Sequence, residues 1–306
     1  MGRRFPFTSY PKGWFQVAYS DEVPKAGVVP LRYFGRDLVL FRTDDGAAHL
    51  LNAYCPHLGA HLGYGGTVDG GAIRCPFHGW KFNPEGRCME APGAKKIPPA
   101  ARVEPWVIHE VNGMVLAHPG GRRAAPGWKV PPLAEHGSSE WTPFQKRRWE
   151  IRTHVQEIAE NIVDPGHFRW VHRTLSTPET RAQPEGHVFR SFSTVKQPTP
   201  RGPVDGHIDA EGFGLGYWAV RFTGIVDLLL ISAATPIDEE RVDLRLSFTV
   251  RGEGNVGNAL IQEISRQVDE DVPIWEHKIY RPRPALGSGD RSVGALRKWG
   301  RQFLGV

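Results

Sequence analysis

The chain has 306 residues, 40% of them hydrophobic and 23% charged, a balance that excludes extended disorder and fits two packed domains. Its net charge of +5 comes from short basic groups such as Lys95-Lys96, Arg122-Arg123 and Lys146-Arg147-Arg148; without a long basic tract, solvated faces account for the charge and nucleic acid is not an expected partner. The longest apolar run, Ile225 to Ala234, is broken by Asp227 and too short to span a bilayer, and the amino terminus lacks a secretion-signal core, so no membrane span and a cytoplasmic location are expected.

With 35 glycines and 26 prolines, turns must be frequent and long helices few. Short strands are predicted at Trp14–Tyr19, Val28–Phe34, Asp37–Arg42 and His49–Tyr54, each bounded by Gly, Pro or Asp. A hairpin turn is predicted within residues 81–86. Asn112-Gly113 marks another, between strands at Val107–Val111 and Met114–His118. The proline-rich stretch after residue 119 has little periodicity and reads as a linker. The expected domains are therefore 1–119 and 145–306, with 120–144 between them.

In the second half a helix is predicted from about Thr153 to Val163, then a polar stretch. Long strands follow at Leu215–Gly224, Ile225–Pro236 and Arg241–Arg251. Val256, Leu260, Ile264 and Val268 recur every four residues, the mark of an amphipathic helix that Pro273 should kink or end. A last helix is expected over about Ser292 to Phe303. The fold class is thus α+β: an all-β domain, then an antiparallel sheet flanked by helices.

Three cysteines, Cys55, Cys75 and Cys88, are too few and odd in number for a disulfide framework. Two of them sit in related segments: Cys55-Pro56-His57, seventeen intervening residues, then Cys75-Pro76-Phe77-His78. Two thiolates and two imidazoles suit either a structural zinc or a Rieske 2Fe–2S cluster. Zinc fingers usually pair like with like in each loop, whereas these loops each mix Cys and His. Two such loops, spanning residues 55–62 and 75–80, can clamp a two-iron diamond with both thiolates on one iron and both imidazoles on the other. Cys88 has no paired histidine and reads as a buried apolar residue.

A second constellation lies in Glu160 to His172. Asp164 precedes His167 by three residues, and His172 follows His167 by five. A non-haem ferrous site needs two histidines and a carboxylate on one face. A local carboxylate could serve by proximity. In the late helix, however, Val268, Asp271 and Trp275 are spaced by three and four, which puts Asp271 on the core-facing stripe and Asp269 on the polar side. A carboxylate buried there is costly unless paired or metal-bound, which favours Asp271. Glu157, Asn161, His61, His154 and His277 are further candidates for supporting roles.

The first pair of loops, with Leu58-Gly59-Ala60-His61-Leu62 and Gly79-Trp80 around them, resembles Rieske domains. Both motifs in this order resemble the catalytic subunit of Rieske non-haem iron oxygenases over nearly the whole chain. Tyr10 to Tyr19, Asn52 to Gly66 and Ile274 to Tyr280 are similar to the branch of 3-ketosteroid 9α-hydroxylase oxygenase components and cholesterol 7-desaturases. That resemblance implies a 2Fe–2S cluster on Cys55, His57, Cys75 and His78, and a mononuclear Fe(II) on His167, His172 and Asp271. It implies Asp164 as an electron bridge to the cluster of a neighbouring subunit in a homotrimer. It also implies dioxygen as cosubstrate and hydroxylation or desaturation of a small hydrophobic, steroid-like substrate. The chain has no Gly-x-x-x-x-Gly-Lys-Ser/Thr phosphate loop, and NAD(P)H is expected to act only through a separate reductase or ferredoxin, which Lys95-Lys96 could help dock. The rival readings are an oxygenase of aromatic, alkaloid or other natural products, an electron carrier, and a zinc-stabilised binding module.

Overall fold

The computed structural model describes residues 4–7, 9–120, 125–197, 202–252 and 254–304; Arg122-Arg123 and part of the expected linker lie outside them. The chain forms two compact units, Trp14–Pro131 and the rest, Met1–Gly13 together with Pro132–Val306.

The first unit is all β. Strands β1 (Phe15–Tyr19), β9 (Val107–Val111) and β10 (Met114–His118) form one antiparallel sheet, and β2 (Val28–Tyr33), β3 (Arg36–Arg42) and β4 (Ala48–Asn52) a second. Four short strands, β5 (Thr67–Asp69), β6 (Ala72–Arg74), β7 (Lys81–Phe82) and β8 (Cys88–Glu90), make the third. The β9–β10 hairpin turns at Asn112-Gly113, both with positive φ (53° and 72°), the backbone that lets a two-residue loop follow strand twist. Val39, Phe41, Leu51, Ile73 and Phe82 are buried in one cluster that also encloses Cys55, Cys75 and Cys88. As expected, Cys88 is a core residue, its thiol donating to Glu90 O at 3.2 Å.

The second unit is built on a seven-stranded antiparallel sheet. Its strands are β11 (Gln145–Ile151), β12 (Glu179–Glu185), β13 (Val188–Gln197), β14 (Val204–Phe213), β15 (Tyr217–Thr223), β16 (Leu228–Pro236) and β17 (Val242–Val250), in spatial order 11-17-16-15-14-13-12. Its helices are α1 (Val155–Val163), α2 (Gly166–Trp170), α3 (Asn255–His277) and α4 (Arg291–Gly300). Every residue of β16 and β17 is buried, so both faces of the sheet are covered at its centre.

Three sequence expectations change. Residues 1–13 belong with the second unit, because the Arg4 guanidinium donates to Trp275 O and Lys278 O (both 2.8 Å) and Phe7 stacks on His154 at 4.3 Å. The division between units falls after Pro131, inside the expected linker, since Thr142 is already tied to Val250 by a backbone bond of 2.9 Å. Pro273, expected to kink or end α3, does not end it, and the helix continues to His277. Beyond the proline the ladder resumes, with Lys278 N–H donating to Ile274 O at 2.9 Å.

Candidate metal centres

The two Cys-Pro loops of the first unit close in the same way. Cys55 N–H donates to Ala60 O and Gly59 N–H to Cys55 O; Cys75 N–H donates to Trp80 O and Gly79 N–H to Cys75 O, all at 2.7–3.1 Å. Each turn needs a residue of positive φ, supplied by Gly59 (+76°) and Gly79 (+71°). Arg74 braces the second loop by donating to Gly79 O at 2.9 Å while paired with Asp69 and Glu90. The loops set Cys55 beside Cys75 and bring the His57 and His78 rings to 4.6 Å, with Trp80 stacked flat on His57 at 4.5 Å.

The two ends of this constellation differ in environment. The thiols are buried, the imidazoles exposed. Burial, and then the neighbouring Cys75, pushes the Cys55 thiol up to about 11. Ionising both thiols in this core therefore calls for strong cationic compensation, which ferric or ferrous iron supplies. The donor set, two buried thiols and two exposed imidazoles, fits a Rieske cluster.

The second centre starts at α1. His154 caps it, its Nδ1 accepting from Gln156 N–H at 3.2 Å. The helix ends at Asp164, whose extended backbone breaks the ladder and whose Oδ1 accepts from Gly166 N–H at 2.8 Å. Pro165 then starts the short α2, which carries His167 in its first turn; His172 follows its end, with His172 N–H donating to Phe168 O at 3.1 Å. The two rings stand 5.0 Å apart and nearly perpendicular. From α3, Asp271 enters on the buried stripe with Ile264 and Trp275. The ligating atoms of His167, His172 and Asp271 lie within 4.8 Å of one another.

The electrostatics favour a cation. Burial works against charge on His172, but Asp271 (Oδ2 to Nε2, 3.4 Å) and Glu270 (Oε2 to Nδ1, 3.0 Å) outweigh it and hold the imidazole above its ordinary pKa. Burial alone would raise the Asp164 carboxyl; the adjoining His167 and the Gly166 amide hold it below the ordinary value. His167 Nδ1 is buried without a well-formed hydrogen bond, Asp164 Oδ2 standing 3.5 Å away. Asn161 donates to Asp271 Oδ2 at 2.9 Å, and the same amide nitrogen is 3.3 Å from His167 Nε2. Two imidazoles and one carboxylate, with no thiolate nearby, fit a non-haem ferrous ion with open positions.

An open cleft is lined in part by these three residues. Its walls are apolar: Val220 and Phe222 of β15, Leu230 of β16, Leu244 and Leu246 of β17, and Ile208 of β14.

Of the other candidates, Asn161 touches the site directly, whereas His61 and His154 accept local backbone hydrogen bonds and His277 donates one to Pro273 O. Glu157 is buried and paired with Lys278. Sequence reasoning missed Glu270, the partner of His172. Its one signal was adjacency to Asp271, because its face of α3 carries no apolar periodicity.

A cluster-binding β unit joined to a sheet-and-helix unit with a two-histidine, one-carboxylate site is the plan of a Rieske oxygenase. Residues 13–103 match the Rieske [2Fe-2S] domain, and residues 118–304 match the 3-Ketosteroid 9alpha-hydroxylase C-terminal domain. The chain belongs to the Rieske oxygenases of this 3-ketosteroid 9alpha-hydroxylase family. It is 28% identical to a cholesterol 7-desaturase of Ciona intestinalis over 96% of this chain and 68% of that protein. It is 27% identical to a 3-ketosteroid-9-alpha-monooxygenase oxygenase component of Rhodococcus rhodochrous, over 97% of this chain and 82% of the relative. The fold is shared with dicamba monooxygenase, with a TM-score of 0.80, 18% identity, and coverage of 97% and 98% of the two chains. Its cofactors are accordingly a Rieske 2Fe–2S cluster and a mononuclear iron, with dioxygen as cosubstrate. Among the described residues no helix is long and apolar enough to cross a membrane.

Proposed function

We propose that the protein is the terminal oxygenase component of a steroid-oxidising system. It inserts one oxygen atom into, or removes two hydrogens from, an unactivated C–H region of a 3-ketosteroid or sterol. The observation that carries this reading is the largely apolar cleft that Val220, Phe222, Leu230, Leu244 and Leu246 line together with His167, His172 and Asp271. Polar side chains are few in its lining, and His167, His172 and Asp271 are among them. The names of the relatives, desaturase and 9-alpha-monooxygenase, supply the substrate class.

Hydroxylation is R–H + O2 + 2 e⁻ + 2 H⁺ → R–OH + H2O; desaturation takes a second hydrogen from the neighbouring carbon and releases a second water. The electrons come from NAD(P)H through a separate reductase. Cys55 and Cys75 would hold the inner iron of the cluster, and His57 and His78 the outer. His167, His172 and Asp271 would hold the mononuclear iron, which supplies the binding and activation of dioxygen. The chain's own part is positional. Asn161 fixes the Asp271 carboxylate, the Asp164 carboxylate stands against His167, and the walls of β15 to β17 keep water from the reacting carbon. Asp164 is the proposed bridge from the cluster of a neighbouring subunit in a homotrimer; its support is its place beside His167 and the family resemblance. A cytoplasmic location accords with the three cysteines, none of which is in a disulfide.

The test is a single turnover. Protein with both centres loaded and the cluster chemically reduced is mixed with dioxygen and a 3-ketosteroid, and cluster absorbance and product are followed together. Re-oxidation of the cluster should accompany product formation, and Asp164→Asn should slow both by about 10–100-fold while leaving the oxidised spectrum intact. Product formation with the cluster still reduced would remove the relay, and an unchanged rate in Asp164→Asn would remove the bridge.

A further inference from the structure

His172 differs from His167 in what stands behind it. Its Nδ1 lies 3.0 Å from Glu270 Oε2 while its Nε2 points at Asp271 Oδ2, 3.4 Å away. Behind His167 the Asp164 oxygen is at 3.5 Å, too far for a good hydrogen bond. The two imidazoles are therefore held by carboxylates of different elements and to different degrees.

Glu270 is itself held. Arg266, one helical turn earlier, pairs with its other oxygen. Arg266 is gripped by both oxygens of Glu263 (Nε to Oε2 2.9 Å, Nη2 to Oε1 2.6 Å), and Gln267 donates to Glu263 Oε1 at 3.0 Å. Positions 263, 266, 267 and 270 share one face of α3, the spacing at which helix side chains meet. This chain of charges ends on a metal-site imidazole, and the same helix carries Asp271 one residue further on. Exposed pairs of this kind contribute little to stability. Their geometric consequence is larger, because a histidine whose far nitrogen is bonded to a carboxylate has a fixed tautomer, a fixed ring plane and greater basicity toward a metal.

We infer that Glu270 is a positioning residue of the mononuclear centre: it accepts the His172 Nδ1 proton, directs Nε2 toward the metal beside Asp271, and is kept in place by the Glu263–Arg266 pair. The inference rests on the reading that His172 holds iron. The α3 helix then contributes both a ligand, Asp271, and the support of another, so metal affinity depends on the exposed face of a helix whose buried face lines the cleft.

The experiment is anaerobic Fe(II) affinity of the full chain with its cluster in place, by chelator competition, for the wild type, Glu270→Gln, Glu270→Ala, Arg266→Gln and Glu263→Gln. Glu270→Ala should weaken binding by about 10–100-fold, Glu270→Gln by less, since an amide oxygen still accepts the proton, and Arg266→Gln and Glu263→Gln by successively smaller factors. That graded order is what general loosening of α3 would not produce. Thermal unfolding and the cluster spectrum of each variant check that it folds. Folded Glu270 variants within about twofold of the wild type would overturn the inference. A wild type that binds no Fe(II) outside the cluster would instead overturn the functional reading.

Discussion

His167→Ala or Asp271→Ala is expected to lose the mononuclear iron and reduce substrate oxidation by more than about 10³-fold, with the visible spectrum of the cluster unchanged. A catalytic metal contributes several kcal/mol to the barrier, and every 1.36 kcal/mol is tenfold in rate. The three candidate ligating groups lie within 4.8 Å of one another, and among the described residues that group has no fourth His, Cys or carboxylate to replace one. Removing either leaves two donors and, for Asp271→Ala, also frees the Asn161 amide that donates to it at 2.9 Å. Iron and acid-labile sulfide analysis checks the outcome. The variants should keep about two irons and two sulfides per chain, against about three irons in the wild type. Retention of the third iron would show that these residues do not hold it.

His154→Asn is expected to flatten the acid sensitivity of the second unit. His154 is buried against Phe5 and Phe7, and burial pushes its imidazole down to about 3. An unfolded histidine titrates near 6.5. Between those values the unfolded chain binds a proton that the folded chain refuses, so stability is fully present above about pH 6.5 and falls with acid at about 1.4 kcal/mol per pH unit. Over the whole window that is on the order of 5 kcal/mol, a large share of ordinary domain stability. Asparagine keeps an acceptor for the Gln156 N–H at the α1 cap and has no proton to gain. Denaturant unfolding at pH 7.5 and pH 5, followed by tryptophan fluorescence, should show a loss in the wild type that the variant lacks. Equal losses in both would place the acid sensitivity elsewhere.

The side chains of both candidate centres stand out in the sequence because the expected chemistry is carried by residue type and short spacing. The mixed Cys/His loops fold as two copies of one turn, and the 3.6-residue period of α3 was enough to separate buried Asp271 from exposed Asp269. The hairpin at Asn112-Gly113 and strands β15 to β17 were equally plain, one from its turn residues, β15 and β16 from apolar-rich runs, and β17 from its alternation of apolar and polar residues. Strands β11 to β14 were not. Glu179–Glu185 and Val204–Phe213 have several polar or exposed positions, so they lack the apolar alternation that marks a half-buried strand. Their place in the sheet is fixed by pairing with neighbours far along the chain. The amino-terminal strap was hidden for a similar reason, since Arg4 bonds to carbonyls some 270 residues away. Pro273 was expected to kink or end the helix, and α3 does not end there but runs on to His277.

The measurement to make first is product mass from the reconstituted protein, given NADH, a surrogate reductase, dioxygen and a panel of 3-ketosteroids and sterols beside aromatic and alkaloid compounds. A 3-ketosteroid that gains one oxygen, or a sterol that loses two hydrogens, is the expected result. Oxidation of only the aromatic or alkaloid compounds, by protein whose cluster and third iron are both present, would contradict the steroid reading.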